Sequence, residues 1–182
     1  CIGEEMVENG IDALLGPGIN IHRHPLNGRN FEYFSEDPLL SGRMAAAVVR
    51  GIGRHKVYGV IKHFACNSQE TGRNTVNAVV SERALRQIYL KAFEIAVREG
   101  NAQAVMTSYN PVNGHWAASA YDLTTTILRR EWGFDGMVMT DWWACMNDAA
   151  DGGEASGTRT ADMVRSQNDV YMVVNNNGAE IN

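Results

Sequence analysis

Gly136-Met137-Val138-Met139-Thr140-Asp141-Trp142-Trp143 runs a short apolar strand straight into a carboxylate and two indoles. Asp after a strand is a common helix N-cap, so the segment alone leaves the role of Asp141 open. Its neighbours in the chain settle the fold class. Four further segments read as short buried strands: Ala13 to Leu15, Val60 to Phe64, Ala104 to Ser108 and Val170 to Val174. Helical patterns lie between them. Asp37-Pro38 offers an N-cap with Pro at the first helical position, and Leu40, Met44, Ala47, Val48 and Ile52 follow at helical spacing. Ser81 caps a longer helix with Leu85, Ile88, Tyr89, Ala92, Phe93 and Ala96 on one face, stopped by Gly100. Asp122 opens a third helix, with Leu123, Ile127 and Leu128 apolar and Gly133 beyond its end. Strand, loop, helix, strand is the order of a parallel α/β protein.

The strand exits carry the chemistry. The first strand leads to His22, Arg23, His24, Arg29, Asn30 and Glu32; the second ends in Lys62 and His63, followed by Asn67, Gln69 and Glu70. Tyr109 and Asn110 follow the third, and Asp141-Trp142-Trp143 the fourth. In α/β barrels several loops at the C-terminal ends of the strands build one site. Four consecutive exits rich in ionisable and aromatic groups favour a shared site over four separate caps, and Asp141 becomes the candidate catalytic carboxylate.

A complete eight-stranded barrel takes about 250 residues. The 182 residues here, 45% hydrophobic, supply one substantial core and about five or six strand–helix units. The expected fold is therefore an incomplete TIM-type (β/α)8 barrel, mainly parallel strands alternating with helices, forming a single partial domain over residues 1–182. A chain that starts at Cys1 reads as part of a larger enzyme. A net charge of −5 without a basic run argues against a nucleic-acid partner, and no apolar stretch is long enough to span a membrane. Cys1, Cys66 and Cys145 lack metal-ligand spacing and read as unpaired thiols. The stretch Asp151 to Thr160 reads as a Gly-rich polar loop.

With Gly28-Arg29-Asn30-Phe31-Glu32, Lys62-His63-Phe64, Ser108-Tyr109-Asn110 and Thr140-Asp141-Trp142 in this order, the chain resembles the family-3 glycoside hydrolases, and most closely their β-glucosidases. The motifs are specific jointly rather than singly. The resemblance implies that Asp141 is the nucleophile of a retaining, exo-acting glycosidase. It implies that Arg29, Lys62 and His63 bind sugar hydroxyls and that Tyr109 sits beside the nucleophile. It also implies a second α/β domain carrying the acid/base Glu beyond the end of the chain, and a sugar-binding Asp upstream of residue 1, neither of which has a counterpart in these 182 residues. The implied partner is a β-linked oligosaccharide or an aryl or alkyl glucoside, with no metal or organic cofactor; a homo-oligomer stays open. Hexosaminidase-like members carry Gly-His-Gly after Lys-His-Phe, whereas Ala65-Cys66-Asn67-Ser68 stands here.

The residue chemistry agrees. Cations such as Arg29 and Lys62 favour an ionised Asp141. Arg offers a planar fork to two adjacent hydroxyls and Lys a point donor, His63 can donate or accept, and Trp142 can stack on a sugar ring. Each residue also has a plainer reading. Arg29 can pair with Glu32 or Asp37 across its loop. Lys62 and His63 can point to solvent, and adjacent strand residues should face opposite sides. Tyr109 can be a core aromatic, Trp143 is assigned to packing, and His22 and His24 to structural roles. Glu32, Glu36 and Glu70 are the in-chain candidates for an acid. Two rival functions remain: a Schiff-base lyase using Lys62, which needs that amine in an apolar setting, and a non-catalytic sugar-binding or inactive fragment.

Overall fold

The computed structural model describes residues 1–173. Helix α1 (Ile2–Glu8) precedes strand β1 (Ala13–Leu14), and helix α2 (Pro38–Gly53) leads to β2 (Tyr58–Phe64). A short α3 (Glu82–Ala84) continues through a π-helical stretch, Leu85–Tyr89, into α4 (Lys91–Arg98), which precedes β3 (Ala104–Thr107). The hairpin β4 (Pro111–Val112) and β5 (His115–Trp116) follows, then a second π-helical stretch, Asp122–Glu131, and β6 (Met137–Met139). A second hairpin, β7 (Met146–Asp148) and β8 (Gly152–Ser156), and helix α5 (Thr160–Arg165) complete the described elements.

Strands β1, β2, β3 and β6 form one parallel sheet in sequence order. That order, with a helix after each of the first three strands, is the strand–helix alternation of a partial α/β barrel. The segment read as a fifth strand contributes a single parallel bridge, Val170 to Met139, and Tyr171 to Val173 have no regular structure. Val174 lies outside the described residues.

Side-chain alternation divides the sheet into two faces. Ile61, Val105 and Val138 pack outward with Phe93, Ala96 and Leu128 of the helices. Val60, Ala104, Met106 and Met139 face the other way, with Leu15 and Trp142 against them. The chemistry stands on this second, interior face.

Several element readings shift. Asp37 caps α2 as its sequence promises, its Oδ1 accepting from the Leu39 and Leu40 amides. The helix, however, buries Ser41, Gly42, Ala45, Ala46, Val49 and Ile52, while Leu40 and Met44 are exposed. The small residues win that face because α4 comes so close: a Cβ at Gly42 would stand 2.8 Å from the Ile95 side chain. In the next helix Ser81 Oγ accepts from the Ala84 amide, as expected of an N-cap. Ile88 is exposed there and Leu90 takes the interior place, because the wider π turn, closed by Leu90 N–H to the Leu85 carbonyl, breaks the 3.6-residue period. The Asp151 to Thr160 loop is a correction. Gly152–Ser156 is strand β8, paired antiparallel with β7, a hairpin that Gly-rich, polar composition conceals.

Candidate active site

Asp141 lies two residues beyond Met139 and continues the interior-facing parity of β6. It is 5% exposed, at a cleft of about 220 Å3. Leu15 and Met106 supply apolar lining; Arg29, Lys62, Arg73, Tyr109 and Trp142 supply the remainder. The ends of all four sheet strands, with the loops that follow them, thus meet at one carboxylate.

The charges around it are ordered. Arg29 pairs through Nε with Glu32, and Lys62 Nζ lies 3.4 Å from the other Glu32 oxygen. Glu70 accepts from Arg73 at 2.8 Å and lies 3.9 Å from Arg29 Nε. The two glutamates therefore lace together the three cations of the cleft. Arg73 also stands over the Tyr109 ring, 4.7 Å from its centroid. Asp141 accepts from the Trp142 amide at 2.8 Å and interacts with the Tyr109 hydroxyl. Burial raises the Asp141 pKa, and that amide, Tyr109, Arg29 and Arg73 oppose it without cancelling it. Burial, with the Asp141 charge second, pushes the Tyr109 hydroxyl up to about 12.

His63 Nε2 lies 3.6 Å from Asp141 Oδ2, with both side chains buried. Burial, reinforced by Arg29, Lys62 and Arg73, holds the imidazole well below its usual range, so the contact is one of neutral imidazole with carboxyl rather than an ion pair. The His63 backbone is clamped by Asn20, whose side chain accepts from its amide and donates to its carbonyl, each at 2.9 Å.

The plainer readings divide. Arg29 does pair with Glu32, and lines the cleft while doing so; Asp37 is used as a helix cap instead. Lys62 and His63 do not point to solvent, nor do they serve opposite faces: Lys62 lines the cleft and His63 reaches Asp141 from beneath. The peptide bond between them is cis. Tyr109 is partly exposed in the cleft rather than a core aromatic. Trp143, assigned to packing, is instead 56% exposed, its ring centroid 5.6 Å from that of Trp142. A positive φ of 49° turns it away from the interior, while its amide donates to the Met172 carbonyl. His22 packs against Tyr33 and His24 is exposed, so the two do not converge, and no cluster of three His, Cys, Asp or Glu among the described residues is placed to hold a metal. Glu36 is exposed, and Glu32 and Glu70 are both engaged by the cations of the cleft, Glu32 by Arg29 and Lys62 and Glu70 by Arg73.

Tyr33 belongs to this site although no motif in the sequence marks it, whereas Arg73 and Asn67 stand in the polar run after Lys62-His63 with no role assigned to them. Arg73 and Asn67 share the loop that follows Lys62-His63, and Tyr33 adjoins Glu32. For Tyr33, proximity along its loop is the one signal the sequence holds.

A sequence profile of the glycosyl hydrolase family 3 N-terminal domain matches residues 1–182. The chain belongs to glycosyl hydrolase family 3. A family member from Ruminococcus albus named as a beta-glucosidase is 61% identical over 172 residues, which cover 94% of this chain and 18% of that protein. A beta-glucosidase structure from Paenibacillus barengoltzii superposes with a TM-score of 0.95 at 69% identity, covering 98% of this chain and 19% of its own. A Bifidobacterium longum relative, 49% identical over 144 residues (79% of this chain and 19% of that protein), is named an exo-alpha-(1->6)-L-arabinopyranosidase. The chain thus spans about a fifth of the length of these family 3 relatives.

Proposed function

We propose that the protein containing this chain is a retaining, exo-acting O-glycoside hydrolase that releases terminal β-D-glucose through a covalent ester on Asp141. One observation carries the reading: a single buried carboxylate at a parallel-strand end faces a small cleft bounded by three cations, a phenol and an indole. Hydroxyl-rich ligands need such convergent donors, and an oxocarbenium-like transition state needs the carboxylate. The cleft, at about 220 Å3, is small beside the roughly 300–1,000 Å3 pockets that bury drug-sized ligands, and so suits one terminal sugar ring.

Arg29, Lys62 and Arg73 act as donors to the glycone hydroxyls, and the Arg29 and Arg73 charges work against the burial that would protonate Asp141. Trp142 lies against the ring, and Tyr109 holds one Asp141 oxygen while the other attacks the anomeric carbon. The glycosidic bond breaks as the glycosyl ester forms, and the leaving oxygen takes a proton from an acid. That acid comes from outside these residues, from a second α/β domain. Water then attacks the anomeric carbon of that ester, breaking its bond to the Asp141 oxygen, gives its proton to the same acid, now a base, and frees Asp141. The Lys62 ammonium, paired with Glu32, is in the opposite of the apolar setting that a Schiff-base lysine needs.

Proton NMR of the intact enzyme acting on an aryl β-glucoside tests the reading. The β-anomer of glucose should appear first and then mutarotate. First appearance of the α-anomer would mean inversion, and would remove the covalent step.

A further inference from the structure

Behind the cleft, away from its lining, stands a phenol that the proposed reaction does not use. Tyr33 is 5% exposed, and its Oη lies 3.3 Å from His63 Nδ1. Asn67 Nδ2 donates to the same Oη at 3.2 Å, and the Asn67 backbone carbonyl, 3.3 Å away, is placed to accept the Tyr33 hydroxyl hydrogen. Across the imidazole, Nε2 faces Asp141 Oδ2 at 3.6 Å. These four residues form one buried line from Asn67 through Tyr33 and His63 to the Asp141 carboxylate.

A neutral imidazole carries one proton, and the surroundings decide where. With the proton on Nδ1, a bare Nε2 lone pair would face the carboxylate oxygen, a repulsive contact in a site with little water to screen it. With the proton on Nε2, the N–H points at the carboxylate, and Nδ1 becomes an acceptor in need of a donor. The one Tyr33 hydroxyl hydrogen has two acceptors at 3.3 Å, the Asn67 carbonyl and Nδ1, and in this tautomer Nδ1 has no other donor among the described residues, while the Tyr33 oxygen accepts from Asn67 Nδ2. We propose that Tyr33 is a positioning residue: it donates to His63 Nδ1, fixes the imidazole as its Nε2–H tautomer, and so keeps an N–H aimed at Asp141 and the glycone beside it.

The geometry explains why the alignment persists. The Asn20 clamp fixes the His63 backbone at both of its polar groups, so the ring has little freedom except about its side-chain torsions. The Tyr33 hydroxyl then selects among those. Burial pushes that phenol's pKa far up, so it stays a hydrogen-bond donor across any working pH. A chain of such bonds also polarises along its length, strengthening the terminal N–H. The catalytic consequence rests on Asp141 being the nucleophile; the tautomer does not.

Two measurements on the intact enzyme separate those claims. A neutron crystal structure after deuterium exchange should place deuterium on His63 Nε2 and direct the Tyr33 deuteron to Nδ1. Deuterium on Nδ1 would overturn the proposal whether or not the protein is a glycosidase. In aryl β-glucoside turnover, Tyr33→Phe should lower kcat/KM about tenfold, the scale of one lost buried hydrogen bond. In a His63→Ala background the same change should have almost no effect, because Tyr33 acts through the imidazole. An equal loss in both backgrounds would mark Tyr33 as merely structural and overturn the proposal. Absence of any glycosidase activity in the wild type would count against Asp141 chemistry and leave the neutron result to decide the tautomer.

Discussion

Replacing Asp141 by Asn should separate activity from stability in opposite directions. The amide keeps the shape of the side chain and one oxygen for the Trp142 amide, 2.8 Å away in the wild type. It removes a buried charge. Burial is the largest influence on this carboxyl, and the Trp142 amide, Tyr109, Arg29 and Arg73 together do not offset it, so the folded-state pKa lies above 3.8. The folded protein then holds this proton to higher pH than the unfolded chain does. Stability is undiminished below pH 3.8, where both states are protonated, and is eroded as pH rises through the interval up to the folded pKa. Above that interval the wild type bears the full cost of the charge and Asp141→Asn does not. The gain at pH 7 should be about 0.5–2 kcal/mol, the range common for relieving a functional site, or roughly 2–4 °C per kcal/mol in the unfolding temperature of a domain this size. Turnover should fall about a thousandfold or more, since an amide cannot form the glycosyl ester. Calorimetry of wild type and variant between pH 4 and 8, with aryl glucoside kinetics on the same samples, reads both. A variant less stable than wild type at pH 7, or a gain that does not shrink toward pH 4, would refute the claim that burial dominates at Asp141.

Two further outcomes follow from named contacts. Arg73→Met removes a cation that lowers the Asp141 pKa and stacks on Tyr109, so the acidic limb of kcat/KM should move to higher pH and its plateau drop about tenfold; an unmoved limb would detach Arg73 from Asp141. Phe93→Ala empties a fully buried site where the ring meets Phe64 edge-on at 5.2 Å, and should cost about 3–5 kcal/mol in denaturant unfolding with little change in KM.

The sheet was legible because its strands are short apolar runs that end abruptly in polar residues, as at Met139-Thr140-Asp141. Parity along such a run also predicts that Asp141 shares a face with Met137 and Met139. Parity fails at Lys62-His63, where the pairing register between β2 and β3 shifts between Ile61 and Phe64, and both side chains serve the same site. Helix faces were harder. Hydrophobicity alone puts Leu40 and Met44 of α2 inward, but close approach of α4 favours Gly42, Ala45 and Ala46, and no single-sequence pattern records that distance. The hairpin strand Gly152–Ser156 escaped because it has almost no apolar residue to reveal it. Among site residues, charged groups at strand exits announce themselves. Tyr33 and Arg73 sit deeper in long loops, and only the folded chain brings the one against His63 and the other over Tyr109.

The central claim is that Asp141 becomes covalently bound to the sugar. A 2-deoxy-2-fluoro-β-glucoside with an activated leaving group slows hydrolysis of the glycosyl ester and lets it accumulate on the nucleophile. After reaction with the intact enzyme, peptide mass spectrometry should find the added fluoroglucosyl mass on the peptide carrying Thr140-Asp141-Trp142, at Asp141. Labelling of Glu32 or Glu70 in its place would contradict the account.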